Sequence, residues 1–108
     1  MLPDPKTAPE ILVQAADCIG DRASQRDQAN GERSMARTVA AFNALTGHNL
    51  SEVVGWEFMA ILKLARSRGG KHRLDDYVDG AAYFGLAGEC AEETWGAKVP
   101  AFSAGDRP

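Results

Sequence analysis

The sequence is short of the features that mark several large classes of protein. It has no apolar run approaching the about 18 to 20 residues that cross a membrane, and its first residues lack the basic and apolar regions of a signal peptide. The net charge is −3, whereas proteins that bind duplex DNA usually carry a basic excess. These absences predict a cytoplasmic protein with neither a membrane nor duplex nucleic acid as its partner.

Cysteine and histidine are also scarce. Cys18 and Cys90 are the only cysteines, and His48 and His72 do not have the spacing of zinc ligands. Two reduced, buried thiols are the favoured interpretation over a disulfide or a ligand role. No cofactor is expected, apart from Mg²⁺ under the enzymatic alternative given below.

What the sequence does have is helical periodicity. Its 108 residues, 44% of them hydrophobic, are enough for one modest core. Thr7 to Glu10 has the form of a capping box, and Ser51 is a good N-cap for a later helix. The pattern predicts a single all-α domain, a bundle of four main helices over about residues 8–20, 33–46, 51–67 and 75–94, with flexible tails at 1–6 and 96–108.

A long polar segment separates the first two predicted helices. Residues 22–32 contain no large apolar side chain and include the turn pair Asn30-Gly31. Long loops in small domains are usually functional or mobile. The segment, with Arg22 and Arg33 at its ends, is therefore either a lid over a polar site or a solvated connector, the second being favoured.

The fourth predicted helix contains Gly80, Gly85 and Gly88. Each glycine inside a helix costs about 1 kcal/mol relative to alanine, which predicts a close approach to the backbone at these positions. Close packing within the chain is the first interpretation, packing between identical subunits the second, and approach of a ligand the third. A homo-oligomer is expected because a small helical domain gains burial by association.

Charges are unevenly distributed between residues 61 and 83. Residues 61–74 hold five formal positive charges and no acid, and three aspartates follow at once. Three interpretations compete. The first is an ion network in which Lys63 and Arg66 pair with the aspartates across the helical hairpin.

The other two interpretations are ligand sites. In an anion site, Lys63, Arg66 and Arg73 hold phosphate while Tyr83 or Trp56 stacks on a base. In a magnesium site, carboxylates hold the metal for phosphate chemistry. The carboxylates of this magnesium site would be Asp75, Asp76 and Asp79.

Four short motifs, taken in order, resemble a known family. They are Gly20-Asp21-Arg22, the segment from Gly31 to Arg37, the segment from Leu62 to Arg66, and the segment from Asp76 to Tyr83. Together they look like a family of small phage and prophage proteins of unknown function, over about residues 10–93. This resemblance implies a viral origin and a small helical fold, and it supplies no catalytic residue.

A fainter likeness is to the MazG-type all-α nucleotide pyrophosphohydrolases. Those enzymes use a Glu-x-x-Glu helix and a later acidic helix to hold magnesium over a nucleoside triphosphate. Asp76 and Asp79 could stand for the later helix, but Glu52 and Glu57 are five residues apart and do not share a face. The first motif of that family is therefore missing.

Together these observations predict a phage-encoded, non-catalytic binding protein. It would be an oligomeric sponge that sequesters a phosphorylated, nucleotide-type signalling molecule of bacterial antiviral defence. One alternative is a MazG-like, Mg²⁺-dependent nucleotide pyrophosphohydrolase; another is an inhibitor that binds a host protein. The predicted ligand-binding residues are Lys63, Arg66, Arg73, Asp76, Asp79, Tyr83, Trp56, Arg22 and Arg33.

Overall fold

The computed structural model describes residues 7–26 and 34–96, except for the side chains of residues 22–26. The described residues form four α-helices and a short π-helical turn, and they contain no strand. The prediction of a small all-α bundle is confirmed. The elements are α1 (Ala8–Arg26), α2 (Ser34–Thr46), α3 (Glu52–Ser67), α4 (Leu74–Ala91) and the π-helical turn (Glu92–Gly96).

Local signals account for where several helices begin and end. At α1 the Glu10 N–H donates to Thr7 Oγ1 (3.3 Å) and the Thr7 N–H donates to Glu10 Oε1 (3.0 Å), which is the predicted capping box. At α3 the Val54 N–H donates to Ser51 Oγ (3.1 Å). After α2 the chain reverses at Gly47, whose φ of 74° favours glycine.

The predicted end of the first helix is wrong. The sequence predicts a helix that ends at residue 20, where Gly20 is a weak stop signal, but α1 continues to Arg26. Gly20 is exposed, and a Cβ at this position would meet no described atom within 4 Å. The residues that follow include Arg, Ala and Gln, which are good helix formers, so one glycine does not end the helix. Residues 22–26 of the predicted loop therefore belong to α1, and the rest of it lies outside the described residues, as do 1–6 and 97–108 of the predicted tails.

The α3–α4 hairpin is the centre of the fold. In it α3 and α4 pack against each other, with α1 against α4 and α2 against α3. Two clusters of buried side chains hold the helices together. The larger one joins α2, α3 and α4, and the smaller one joins α1 and α4. They consist of Met35, Val39, Val53, Trp56, Leu86, Ala87 and Cys90, and of Ala15, Val78 and Ala82, respectively.

Close helix packing occurs at a glycine that the sequence analysis did not single out. A Cβ on Gly55 of α3 would lie 2.5 Å from Met35 Sδ and 2.9 Å from Val39 Cγ1, so α2 approaches α3 closely at this point. In α4, a Cβ on Gly80 would make an ordinary contact, 3.6 Å from Lys63 Cβ. A Cβ on Gly85 or Gly88 would meet no described atom within 4 Å apart from the neighbouring residues of its own helix. Close packing within the described chain is therefore the wrong interpretation for these two glycines.

Neither cysteine forms a disulfide in the described structure. Cys90 is buried, as predicted for both, whereas Cys18 is only half-buried. None of the helices in the described ranges 7–26 and 34–96 is both long and apolar enough to cross a membrane.

Candidate functional site

An ion pair joins the two helices of the hairpin. Lys63 Nζ on α3 lies 3.0 Å from Asp79 Oδ2 on α4, and the two side chains are only 15% and 21% exposed. Removing one partner of such a pair, which is largely shielded from water, would leave an uncompensated charge between the helices. The charge of Lys63 is therefore shared with a carboxylate, as the ion-network interpretation requires for this residue.

A cleft of about 200 Å³ lies beside this ion pair, between the end of α3 and the start of α4. It is smaller than the about 300 to 1,000 Å³ of sites that enclose a drug-sized ligand, so it has room for one ring or one sugar rather than for a whole nucleotide. Its walls combine apolar and polar groups from both helices. The lining residues are Ala60, Lys63, Leu64, Ser67, Asp76, Tyr77 and Gly80.

Asp76 supplies an acceptor to this cleft. The residue is 7% exposed, and its carboxylate makes no hydrogen bond or ion pair with any described residue; only its backbone N–H is bonded, to the Arg73 carbonyl at 3.1 Å. Buried polar groups are normally hydrogen-bonded, and an ionised carboxylate can only accept. Its position in the first turn of α4 favours a negative charge. The cleft therefore presents an acceptor suited to an N–H or O–H group of a ligand.

Exposed basic residues lie at the end of α3 and in the turn that leads to α4, beside the cleft. We call this segment the basic turn; it comprises Arg66, Arg68, Lys71, His72 and Arg73, all exposed. In the part of the chain that the structure describes, none of its lysine or arginine side chains forms an ion pair. Gly70, with φ of 68°, allows the chain to reverse here. The basic turn is therefore available to an anion.

An aromatic side chain that the sequence motifs did not assign to the site lies at the cleft. Tyr77 lines the cleft, is 50% exposed, and has its ring centre 6.0 Å from that of His72 in the basic turn. Its position could have been found from the helical pattern, because a helix that buries Val78, Ala82 and Leu86 turns Tyr77 toward solvent.

The aromatic residues that the sequence predicted for base stacking lie elsewhere. Trp56 is 5% exposed and belongs to the larger buried cluster, where its ring stacks on that of Tyr83 with the centres 5.9 Å apart. Tyr83 is half-buried against the same cluster. The assignment of Trp56 to the ligand site is corrected, because its ring faces the protein interior.

The remaining predicted residues do not converge on one point. Asp75 is exposed, and in residues 7–26 and 34–96 no group of three His, Cys, Asp or Glu side chains is arranged to hold a metal ion. The predicted set of Asp75, Asp76 and Asp79 is therefore not a three-carboxylate metal site. Arg22 lies in the last part of α1, where side chains are not described, and Arg33 lies outside the described residues.

Comparison with known families matches residues 10–91 to a domain of unknown function, DUF6378. The chain belongs to this family. The DUF6378 match extends from α1 to the end of α4, so it includes the cleft and the basic turn. No curated protein and no solved structure matches the chain.

Proposed function

We propose that this DUF6378 protein is a phage-encoded, non-catalytic binding protein that sequesters a phosphorylated, nucleotide-type molecule in the host cytoplasm. The observation that supports it most is the position of the basic turn beside a cleft that contains a buried acceptor and an exposed ring. The viral origin rests on the resemblance of the four sequence motifs to small phage proteins.

The phosphate groups of the ligand bind at the basic turn, outside the cleft. Arginine holds phosphate through paired N–H donors, and Arg66 and Arg73 are exposed. Lys63 contributes less, because Asp79 already balances its charge. Asp76 would repel a phosphate placed inside the cleft, so the electrostatics orient the ligand with its phosphate outward.

The uncharged part of the ligand enters the cleft. There Asp76 accepts a hydrogen bond from a base N–H or a ribose hydroxyl, and Tyr77 stacks on the ring. A volume of about 200 Å³ suits one such ring. This assignment replaces the buried Trp56 with the exposed Tyr77 as the stacking residue.

A binding assay with chemical analysis of the ligand tests the proposal. The purified full-length protein is incubated with cyclic and linear nucleotides, with and without Mg²⁺, freed of unbound material and heated, and the released compound is identified by mass spectrometry. We expect intact nucleotide. Cleaved nucleotide would instead support the MazG-like pyrophosphohydrolase, and absence of retained nucleotide would contradict both, which leaves the inhibitor of a host protein.

The basic turn is tested by Arg66→Ala. Loss of one charge-assisted phosphate contact should weaken nucleotide binding about tenfold, as measured by calorimetry. Arg37→Ala is the matched control. Arg37 is also an exposed arginine, but it lies on α2, which packs against α3 and not against α4. Both variants should melt at the wild-type temperature. Equal affinity in the two variants would contradict a phosphate site at the basic turn.

A further inference from the structure

The α3–α4 hairpin has a second depression on its outer face. We call it the apolar groove; its volume is about 320 Å³, and it is lined by Glu57, Ala60, Ile61, Leu64 and Phe84. Ile61, Leu64 and Phe84 are 60%, 54% and 64% exposed. Grouped apolar side chains that face solvent usually mark an interaction surface, and neither α1 nor α2 covers these.

The α3 side of the groove has a symmetric arrangement of residues. Glu57, Ile61, Leu64 and Arg68 follow one another at spacings of four, three and four, so they form one stripe along the helix. A second α3 that runs antiparallel across this stripe, about a two-fold axis between Ile61 and Leu64, places Ile61 opposite Leu64. The same operation places Glu57 opposite Arg68. The stripe is therefore complementary to itself in both packing and charge.

The distribution of charges along the whole hairpin also favours an antiparallel pair of hairpins. Its closed end carries five Lys and Arg side chains against the three aspartates at the start of α4. Its other end carries five glutamates, from α3, the end of α4 and the π-helical turn, and no Lys or Arg among the described residues there. An antiparallel arrangement brings the basic end of one hairpin to the acidic end of the other, whereas a parallel one would align like charges. The acidic residues at that end are Glu52, Glu57, Glu89, Glu92 and Glu93.

We propose that the apolar groove is the interface of a homodimer in which α3 packs antiparallel on α3 of a second copy. Phe84 of each copy closes the side of the groove, next to Gly88, where the described chain leaves open space. A 16-residue helix is about 24 Å long, which is enough for a continuous seam between the subunits. Ala60 and Leu64 line both the groove and the cleft, and Arg68 belongs to the basic turn, so the seam runs beside the candidate ligand site. The dimer is therefore tested without nucleotide, and its failure would leave the binding proposal standing.

The mass of the nucleotide-free, full-length protein tests the dimer. Sedimentation equilibrium should give twice the chain mass of 11.6 kDa. Ile61→Glu and Phe84→Glu should each give monomers with a wild-type helical circular dichroism spectrum, because a charge is then buried in the seam. Leu45→Glu is the matched control: Leu45 is an 87% exposed apolar residue on α2, outside the groove, and its variant should remain dimeric. A wild-type monomer at about 100 μM, or dimers in both groove variants, would overturn the proposal.

Charge reversal tests the antiparallel register. Glu57→Arg and Arg68→Glu should each weaken the dimer about tenfold, because like charges then meet across the two-fold axis. The double variant restores opposite charges and should recover wild-type dimerisation. A double variant no tighter than the single ones would rule out this register.

Discussion

The inner and outer faces of the α3–α4 hairpin both carry large apolar side chains, but their surroundings differ. On the inner face Trp56, Val78 and Leu86 are buried by α1 and α2, while on the outer face Ile61, Leu64 and Phe84 remain exposed. The hydrophobic effect favours covering both faces, but the flanking helices α1 and α2 cover only one of them. An apolar stripe in a helix therefore shows where burial is favoured. It does not show whether the same chain or another molecule covers the stripe.

The largest difference between the two faces is expected at a pair of aromatic residues on α3. Trp56→Ala removes a ring that is 95% buried by its own chain and should lower the free energy of unfolding by about 3 to 5 kcal/mol. Phe58→Ala, two residues away at a position 64% exposed, should change it by less than about 0.5 kcal/mol. Urea denaturation followed by circular dichroism measures both. Similar losses of unfolding free energy in the two variants would contradict the difference in burial between the two faces.

Two glycines allow covered and open helix positions to be compared at the backbone. Gly55→Ala forces a methyl group against Met35 and Val39 and should destabilise the protein by about 1 to 3 kcal/mol. Gly20→Ala, at an open helical position, should stabilise it by about 0.5 to 1 kcal/mol through helix propensity alone. Thermal melting of both variants decides the point. A stabilising Gly55→Ala would show that α2 moves away from α3 at no cost.

The fold followed from local signals that act within a few residues. The capping box at Thr7, the N-cap at Ser51 and the periodic apolar residues each favour helix without reference to the rest of the chain. The end of α1 was missed because Gly20 is only a weak stop signal, which residues with good helix propensity outweigh.

The site followed from the sequence only in part. The uneven charges correctly drew attention to the hairpin, because Lys63 and Asp79 do meet across it. The stacking residue was misplaced because Trp56 and Tyr77 are both aromatic residues in amphipathic helices, and only the packing of α3 on α4 turns one inward and the other toward solvent. The sequence predicted Asp76 as a ligand-binding residue. It could not show that the carboxylate is buried in a cleft, because the cleft forms only when α3 packs on α4.

The smallest effect on stability is expected at Asp76, where the candidate site and the fold can be separated. Asp76→Ala should leave the free energy of unfolding within about 0.5 kcal/mol of wild type or raise it, because a buried carboxylate bonded to no described group carries a desolvation cost. The same change should weaken nucleotide binding about tenfold, because the ligand loses a charged acceptor. Asp75→Ala is the matched control, since Asp75 is an exposed acid in the same first turn and makes the same favourable interaction with the helix dipole. If Asp76→Ala instead destabilises the protein by more than about 1 kcal/mol beyond Asp75→Ala, the carboxylate supports the fold and the cleft loses its recognition group.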